Sequence, residues 1–452
     1  MGSTDISASA AKAAGKRKFP VGRIAAGVIV GALVLALVGW NLHFRSKVKA
    51  ELDAIRKAGF PVTLRELSEY YPVPRGKNAA DLYARAFAEY AGHDMENKVP
   101  LLSSVKLPPR GEPLPDDMKT NISAYLAANA QALELLHKAA AIEGCRFDVD
   151  FSRGFNITLP NLEELRRAAR LLELQALMKV EEGKPDEAAT AIADSLGAAR
   201  ALQNEPLLLS QLVRMGLVFM SLNNLERVLS RTALRDQQLT KFSEAIASQE
   251  NHDTWTRGLA GERCIAEDWF SNSYSPGRGP PYADGLAGAL YSYLWDWSGL
   301  KARDSLKYLQ LANEIISPTE RSVGEMGDRD AELFKEIQDA PKRVSLQITP
   351  LLFPTRHVLE MVARFRAARA GIAVERFRMA NGRLPDSLDE LTPKWLKKVP
   401  PDLFGDGPIR YKKLAKGFVA YSIGPDEKDH GGIEVDPKYP EAPHDITFIV
   451  AR

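Results

Sequence analysis

The chain has 452 residues and sets 60 Lys and Arg against 58 Asp and Glu, for a formal net charge of +2. Residues 1–49 hold eight Lys or Arg and one acidic residue, a net of +7, which leaves −5 for the remainder. A nucleic-acid binder needs a concentrated basic face, and nothing after residue 49 supplies one; two cysteines are too few for a disulfide framework or a thiolate metal cluster.

Residues 1–20 read as a basic cytoplasmic tail. Ile24 to Trp40 (IAAGVIVGALVLALVGW) is an unbroken apolar run. As a helix it spans about 25 Å, and continuation to Phe44 reaches about 30 Å, the thickness of a bilayer core. A helix also bonds its own backbone groups, which hydrocarbon demands. We therefore expect residues 21–44 to be a single transmembrane anchor. The alternatives are a buried helix of a soluble protein and a cleavable signal peptide. The latter needs a shorter apolar stretch and a small-x-small site, and the exit Gly39-Trp40-Asn41-Leu42-His43-Phe44 offers no good one. Trp40 and Phe44 suit the interfacial aromatic belt, and Gly27-xxx-Gly31 would let two such helices approach closely. Lys12, Lys16, Arg17, Lys18 and Arg23 precede the run; Arg45, Lys47, Lys49, Arg56 and Lys57 follow it. The positive-inside count is thus a tie, and the short tail gives only a slight preference for a cytoplasmic N-terminus.

Residues 45–350 read as a helical ectodomain. Arg45 to Ala58 continues the first helix and stops at Gly59-Phe60-Pro61. Asn78 to Tyr90 has amphipathic spacing through Leu82, Ala86 and Phe87. The proline-rich stretch 98–116 predicts an extended strap, after which Asp116 or Asp117 caps a helix running to about Ala141. Leu162, Leu165, Ala169, Leu172 and Ala176 form a core-facing stripe. Gly183-Lys184-Pro185-Asp186 breaks that helix and starts the next, with glycine as C-cap and proline in the first turn. Residues 181–189 resemble the turn between the helices of a tetratricopeptide unit, although no second copy follows. Such a face suits a protein partner; an ordinary helical core is the alternative.

A Ser/Gly/Pro-rich loop over 271–288 carries Tyr274 and Tyr282, and Tyr291-Ser292-Tyr293-Leu294-Trp295-Asp296-Trp297 follows. This cluster reads as packing against a core or as a binding surface shared with the loop. Cys145 and Cys264 would close a long loop if paired, or stay as two buried thiols.

No HExxH, GxSxG, SxxK, phosphate loop or dinucleotide fingerprint is present, and the seven histidines are scattered. Glu262-Arg263 and Glu267-Asp268 read as a solvated helix face. No catalytic residue stands out, although a constellation assembled only by folding would escape this search.

From Val358 a helix runs to Ala380 and stops at Asn381-Gly382. Leu388 and Leu391 mark a short helix. Strands are predicted at Ile409–Lys412, Gly417–Ile423 and Asp445–Ala451. Residues 355–452 thus make a small α+β domain, and the whole is mainly α. Asn381-Gly382-Arg383-Leu384-Pro385, Pro400 to Gly405, Arg410-Tyr411, Tyr421-Ser422-Ile423-Gly424-Pro425-Asp426 and Asp429-His430-Gly431-Gly432 carry a resemblance. The domain resembles the C-terminal part of the major pseudopilins of type II secretion, and still more the versions of it on uncharacterised membrane-anchored bacterial proteins. Gly59-Phe60-Pro61-Val62-Thr63-Leu64 and Asn78-Ala79-Ala80 resemble those same proteins. Pseudopilins carry the domain directly after the membrane helix and a glutamate within it; this chain does neither.

The resemblance implies an inner-membrane protein with a cytoplasmic N-terminus and its bulk in the periplasm. It also implies calcium held by Asp426, Asp429, Glu434 and Asp436, since hard cations take carboxylate and carbonyl oxygens. The alternative is an Asp/Gly-rich surface turn. Taken together, the expectation is a non-enzymatic interaction or scaffold protein. An accessory component of a secretion or pilus-like machine is a second possibility, and an unrecognised envelope hydrolase, recognisable by a deep polar pocket with a perturbed titratable group, a third.

Overall fold

The computed structural model describes residues 21–72, 76–250, 252–272, 290, 293–316, 333, 335–342, 344, 347–348, 354–436, 438–439 and 441–452. The basic tail, Tyr274, Tyr282 and Tyr291 lie outside them.

Helix α1 (Val21–Lys57) is continuous over 37 residues. Its apolar half stands clear of the rest of the protein, with Leu35 73% exposed. Ala25–Lys57 is, among the described residues, the one helix long and apolar enough to cross a membrane. Its second half changes role: Val48, Leu52 and Ile55 pack into a core built from α10 (His252–Asn272) and α11 (Leu300–Ile316). Gly59, at φ +86°, ends the rod, a left-handed stop that costs glycine little.

Side-chain caps set the next two starts. Glu66 N donates to Thr63 Oγ1 at 3.2 Å ahead of α2 (Leu64–Tyr70), and Ala80 N donates to Asn78 Oδ1 at 3.2 Å ahead of α3 (Ala79–Ala88). The helix expected from 116 to 141 is instead two, α4 (Asp116–Ala128) and α5 (Ala130–Ala140). Asn129 separates them: fully buried, it accepts from Ala91 N and donates to the carbonyls of Ala91 and Tyr125, all at 3.0 Å. A tertiary demand on one side chain thus breaks a run that has no glycine or proline to break it.

Helices α6 (Pro160–Glu181), α7 (Pro185–Arg200) and α8 (Leu208–Arg231) pack mutually, and prolines start α6 and α7. α9 (Asp236–Ala247) follows and lies against α12 (Pro354–Asn381), which ends at Gly382. Three short strands, β1 (Arg410–Lys413), β2 (Phe418–Ser422) and β3 (Ile446–Val450), form an antiparallel meander in the order β1-β2-β3. In its register Tyr411 faces Ala420, and Ala420 faces Phe448. The sheet lies against α12, and β3 also touches α8. At Gly371 a Cβ would fall 2.3 Å from Phe448 Cδ1, so only glycine admits this approach. Phe365, Ile372, Phe418 and Phe448 join one hydrophobic core with Leu165, Leu172 and Leu225 of the helical layer.

Of the two alternatives for the cysteines the structure has the second, and one local expectation changes. Cys145 and Cys264 are both free and buried. Glu262 and Glu267 do not form a solvated face: Glu262 accepts from Leu208 N at 3.3 Å, and Glu267 is buried between Ser271 and Ser305. The helix they share is enclosed by α8 and α11, which the sequence of α10 alone does not reveal.

Candidate functional site

Where the strap, α6, α8, α12 and the C-terminal strands converge, they leave an open cleft of about 980 Å³. Its apolar wall includes Leu101, Leu107, Phe219 and Met361; its polar groups include Arg110, Arg227, Arg364, Glu173 and Glu434. The five polar groups come from five different parts of the chain, and folding alone brings them together.

The network under this cleft is centred on Glu226, in the last two turns of α8 and fully buried. Arg364 Nη2 reaches it at 3.0 Å and Arg110 Nη2 at 3.1 Å, and Ile449 N donates to it at 2.9 Å. Burial pushes the Glu226 carboxyl up, while Arg364 and Arg110 pull it down. Arg364 also donates to Asn223 Oδ1 at 2.9 Å. Arg110 takes Glu434 in a two-point pair, with Nη1 to Oε2 at 2.8 Å and Nη2 on the other oxygen. Burial works against the Glu434 charge, but the bond from Arg110 and the nearby Arg364 and Arg227 outweigh it and hold the group below its usual range. Arg227 Nη1 donates to the Pro108 carbonyl at 2.9 Å, tying the strap to α8.

Glu173 differs from these. It is 6% exposed, lines the cleft, and has no hydrogen-bond or ion-pair partner among the described residues. Burial pushes its carboxyl up to about 8, against the pull of Arg227 and Arg170. Burial thus favours its protonated form, which can donate a hydrogen bond into the cleft.

The four carboxylates expected to hold calcium take other partners. Asp426 Oδ2 meets His430 Nε2 at 2.8 Å, and Asp436 accepts from Lys438 N at 2.8 Å. Asp429 accepts from Tyr421 Oη at 3.1 Å and Gly431 N at 2.8 Å, and Arg410 Nε lies 3.1 Å from it. Glu434 pairs with Arg110. The loop itself is braced by Asp445, which accepts from His430 N, Gly432 N and Ile433 N at 3.2, 2.7 and 3.2 Å. Among the described residues no three His, Cys, Asp or Glu side chains are placed to share a metal ion, so the donor set in this arrangement does not fit calcium.

Asp402, within the quoted Pro400 to Gly405 stretch, has a similar bracing role. It accepts from Phe404 N, Ile423 N and Ser422 Oγ and pairs with Arg410 Nη1 at 3.0 Å. Elsewhere His137 Nδ1 meets Asp194 Oδ2 at 2.6 Å, but its other nitrogen faces Gln175 Nε2 at 3.1 Å. An amide closes that dyad on the side where a nucleophile would stand.

Compared with known proteins, the chain matches no family model, no curated protein and no solved structure.

Proposed function

We propose that the chain is a single-pass envelope membrane protein with a non-enzymatic interaction role, which binds a partner segment in the cleft between the strap, α8 and α12. The observation that carries this reading is the pairing of an apolar wall with one buried, unpartnered acid. Leu101, Leu107, Phe219 and Met361 line the wall, and Glu173 lines the same space beside Arg227. A segment with an apolar side chain next to a carboxylate or carbonyl would fit: the acceptor meets the protonated Glu173 and Arg227, and the apolar group covers Phe219. Binding sites of this kind set few polar groups in a mostly apolar lining. Exposure of Phe219, at 39%, supports access from solvent.

Photocrosslinking from position 219 in intact membranes tests it. A discrete adduct that disappears with Arg227→Glu, and does not form from the exposed position 138 on α5, is the expected result. Absence of any adduct at 219, or adducts indifferent to residue 227, would overturn it.

The raised carboxyl of Glu173 also favours a second reading, an envelope hydrolase in which this acid gives a proton to a leaving group. A hydrolytic activity that Glu173→Gln abolishes without loss of folding would establish that reading in place of the first.

A further inference from the structure

Residues 293–300, which follow the Ser/Gly/Pro-rich loop, lie against the exit of α1, and their exposed side chains include large apolar ones. Asn41 Nδ2 donates to the carbonyls of Asp296 and Trp297 at 2.8 and 3.0 Å, and Arg45 pairs with Asp296 at 3.2 Å. A Cβ on Gly299 would fall 2.9 Å from Asn41 Cα and 3.0 Å from Trp40 Cδ1, so the two backbones are nearly touching. The inner side of the segment is fixed by Trp295, 5% exposed, which packs on Trp269 and Phe270 and donates to Asp304 Oδ2 at 3.1 Å. Its outer side shows Leu290, Tyr293, Leu294 and Trp297, each between 45% and 61% exposed. Residues 293–297 are helical, and the spacing of Tyr293, Leu294 and Trp297 is that of a single helix face.

Depth along α1 decides what such a face meets. The apolar run from Ile24 ends at Trp40, about 25 Å along the helix, and the thickness of a hydrocarbon core, about 30 Å, is reached at Phe44. The boundary therefore falls between Trp40 and Phe44, and whatever is bonded to Asn41 lies close to the level of the headgroups. Tyr and Trp favour that level because their rings are apolar with a polar edge.

Resting on the reading of α1 as an anchor, we propose that residues 293–300 are a second, interfacial membrane contact, with Tyr293, Leu294 and Trp297 immersed in the bilayer that α1 crosses. The ectodomain would then be held against the membrane at two adjoining points, its orientation fixed by the bonds of Asn41 and Arg45 to the segment, instead of swinging on one helix.

Spin labels on the full-length protein in phosphatidylcholine vesicles test this. Tyr293→Cys and Trp297→Cys report the segment, Val34→Cys reports the anchor, and Phe155→Cys, exposed on the ectodomain, reports water. The native Cys145 and Cys264 are buried with thiols pushed up to about 12, so they compete poorly for the label. The expected result is a ratio of oxygen to aqueous-nickel accessibility several-fold higher at 293 and 297 than at 155, and highest at 34. Labels at 293 and 297 as water-accessible as that at 155, with 34 in lipid, would overturn the interfacial contact and leave the anchor standing. Labels shielded from both agents would show a protein cover and overturn it too. An aqueous label at 34 would remove the anchor itself, and the proposal with it.

Discussion

The carboxylate of Glu226 on α8 and the guanidinium of Arg364 on α12 meet at 3.0 Å with both side chains buried. This pair joins the C-terminal module to the helical layer, and Arg110 from the strap closes it from a third direction. Removing one member of a buried pair leaves the other charge desolvated without compensation, at a cost of about 3–5 kcal/mol. Glu226→Gln is therefore expected to lower the urea midpoint sharply, and Glu226→Leu combined with Arg364→Leu to recover part of the loss. A single variant as stable as the parent would show that the pair contributes nothing.

Glu173 gives the stability a pH dependence of definite sign. Its carboxyl is pushed from 4.5 up to about 8 by burial. Between those values the folded chain keeps a proton that the unfolded chain has released. The contribution is complete below pH 4.5 and is lost as pH rises to about 8, with a slope of up to ~1.4 kcal/mol per pH unit for one proton. Other buried carboxyls are raised too, Glu262 to about 7 among them, so the informative quantity is a difference. Denaturation at several pH values should give a shallower decline for Glu173→Gln than for the parent; parallel declines would contradict it.

The C-terminal loop predicts insensitivity to divalent ions. Asp426, Asp429 and Asp436 already hold His430, Arg410 and Lys438 N, and Asp445 braces three loop amides. A chelator should leave the melting midpoint unchanged, as should added calcium. A rise with calcium that Asp429→Asn abolishes would mean that the loop rearranges to bind it.

Gly261 on α10 admits the closest backbone approach in the helical layer. A Cβ there would lie 1.7 Å from the Pro206 carbonyl oxygen, a backbone atom that has no rotamer to escape into. Gly261→Ala must push α10 off the α7–α8 connection, and we expect a loss of about 3 kcal/mol or more, read as a lowered midpoint or failure to accumulate. A stability near that of the parent would contradict the packing.

Local signals carried much of this architecture. Gly59, Asn78, the Gly183 to Pro185 turn and Asn381-Gly382 act through their own backbone preferences, so helix ends there are legible from the chain alone. Period-two alternation through Ile446, Phe448 and Val450 did the same for β3. The break at Asn129 was not legible, because its cause is Ala91, 38 positions away. Nor was the cleft, where Arg110 and Glu434 pair across 324 positions. One signal was available for Glu173: it is a lone acid among Leu171, Leu172 and Leu174, next to the Leu172 of the core-facing stripe. For Glu262 and Glu267 the helix offered only its own charge pattern, and burial came from neighbours that no local pattern describes.

The account depends most on α1 lying in lipid, and membrane fractionation of the full-length chain measures that directly. It predicts that the protein stays with the membrane pellet through alkaline carbonate and leaves it only with detergent. Full-length chain in the carbonate supernatant would contradict it.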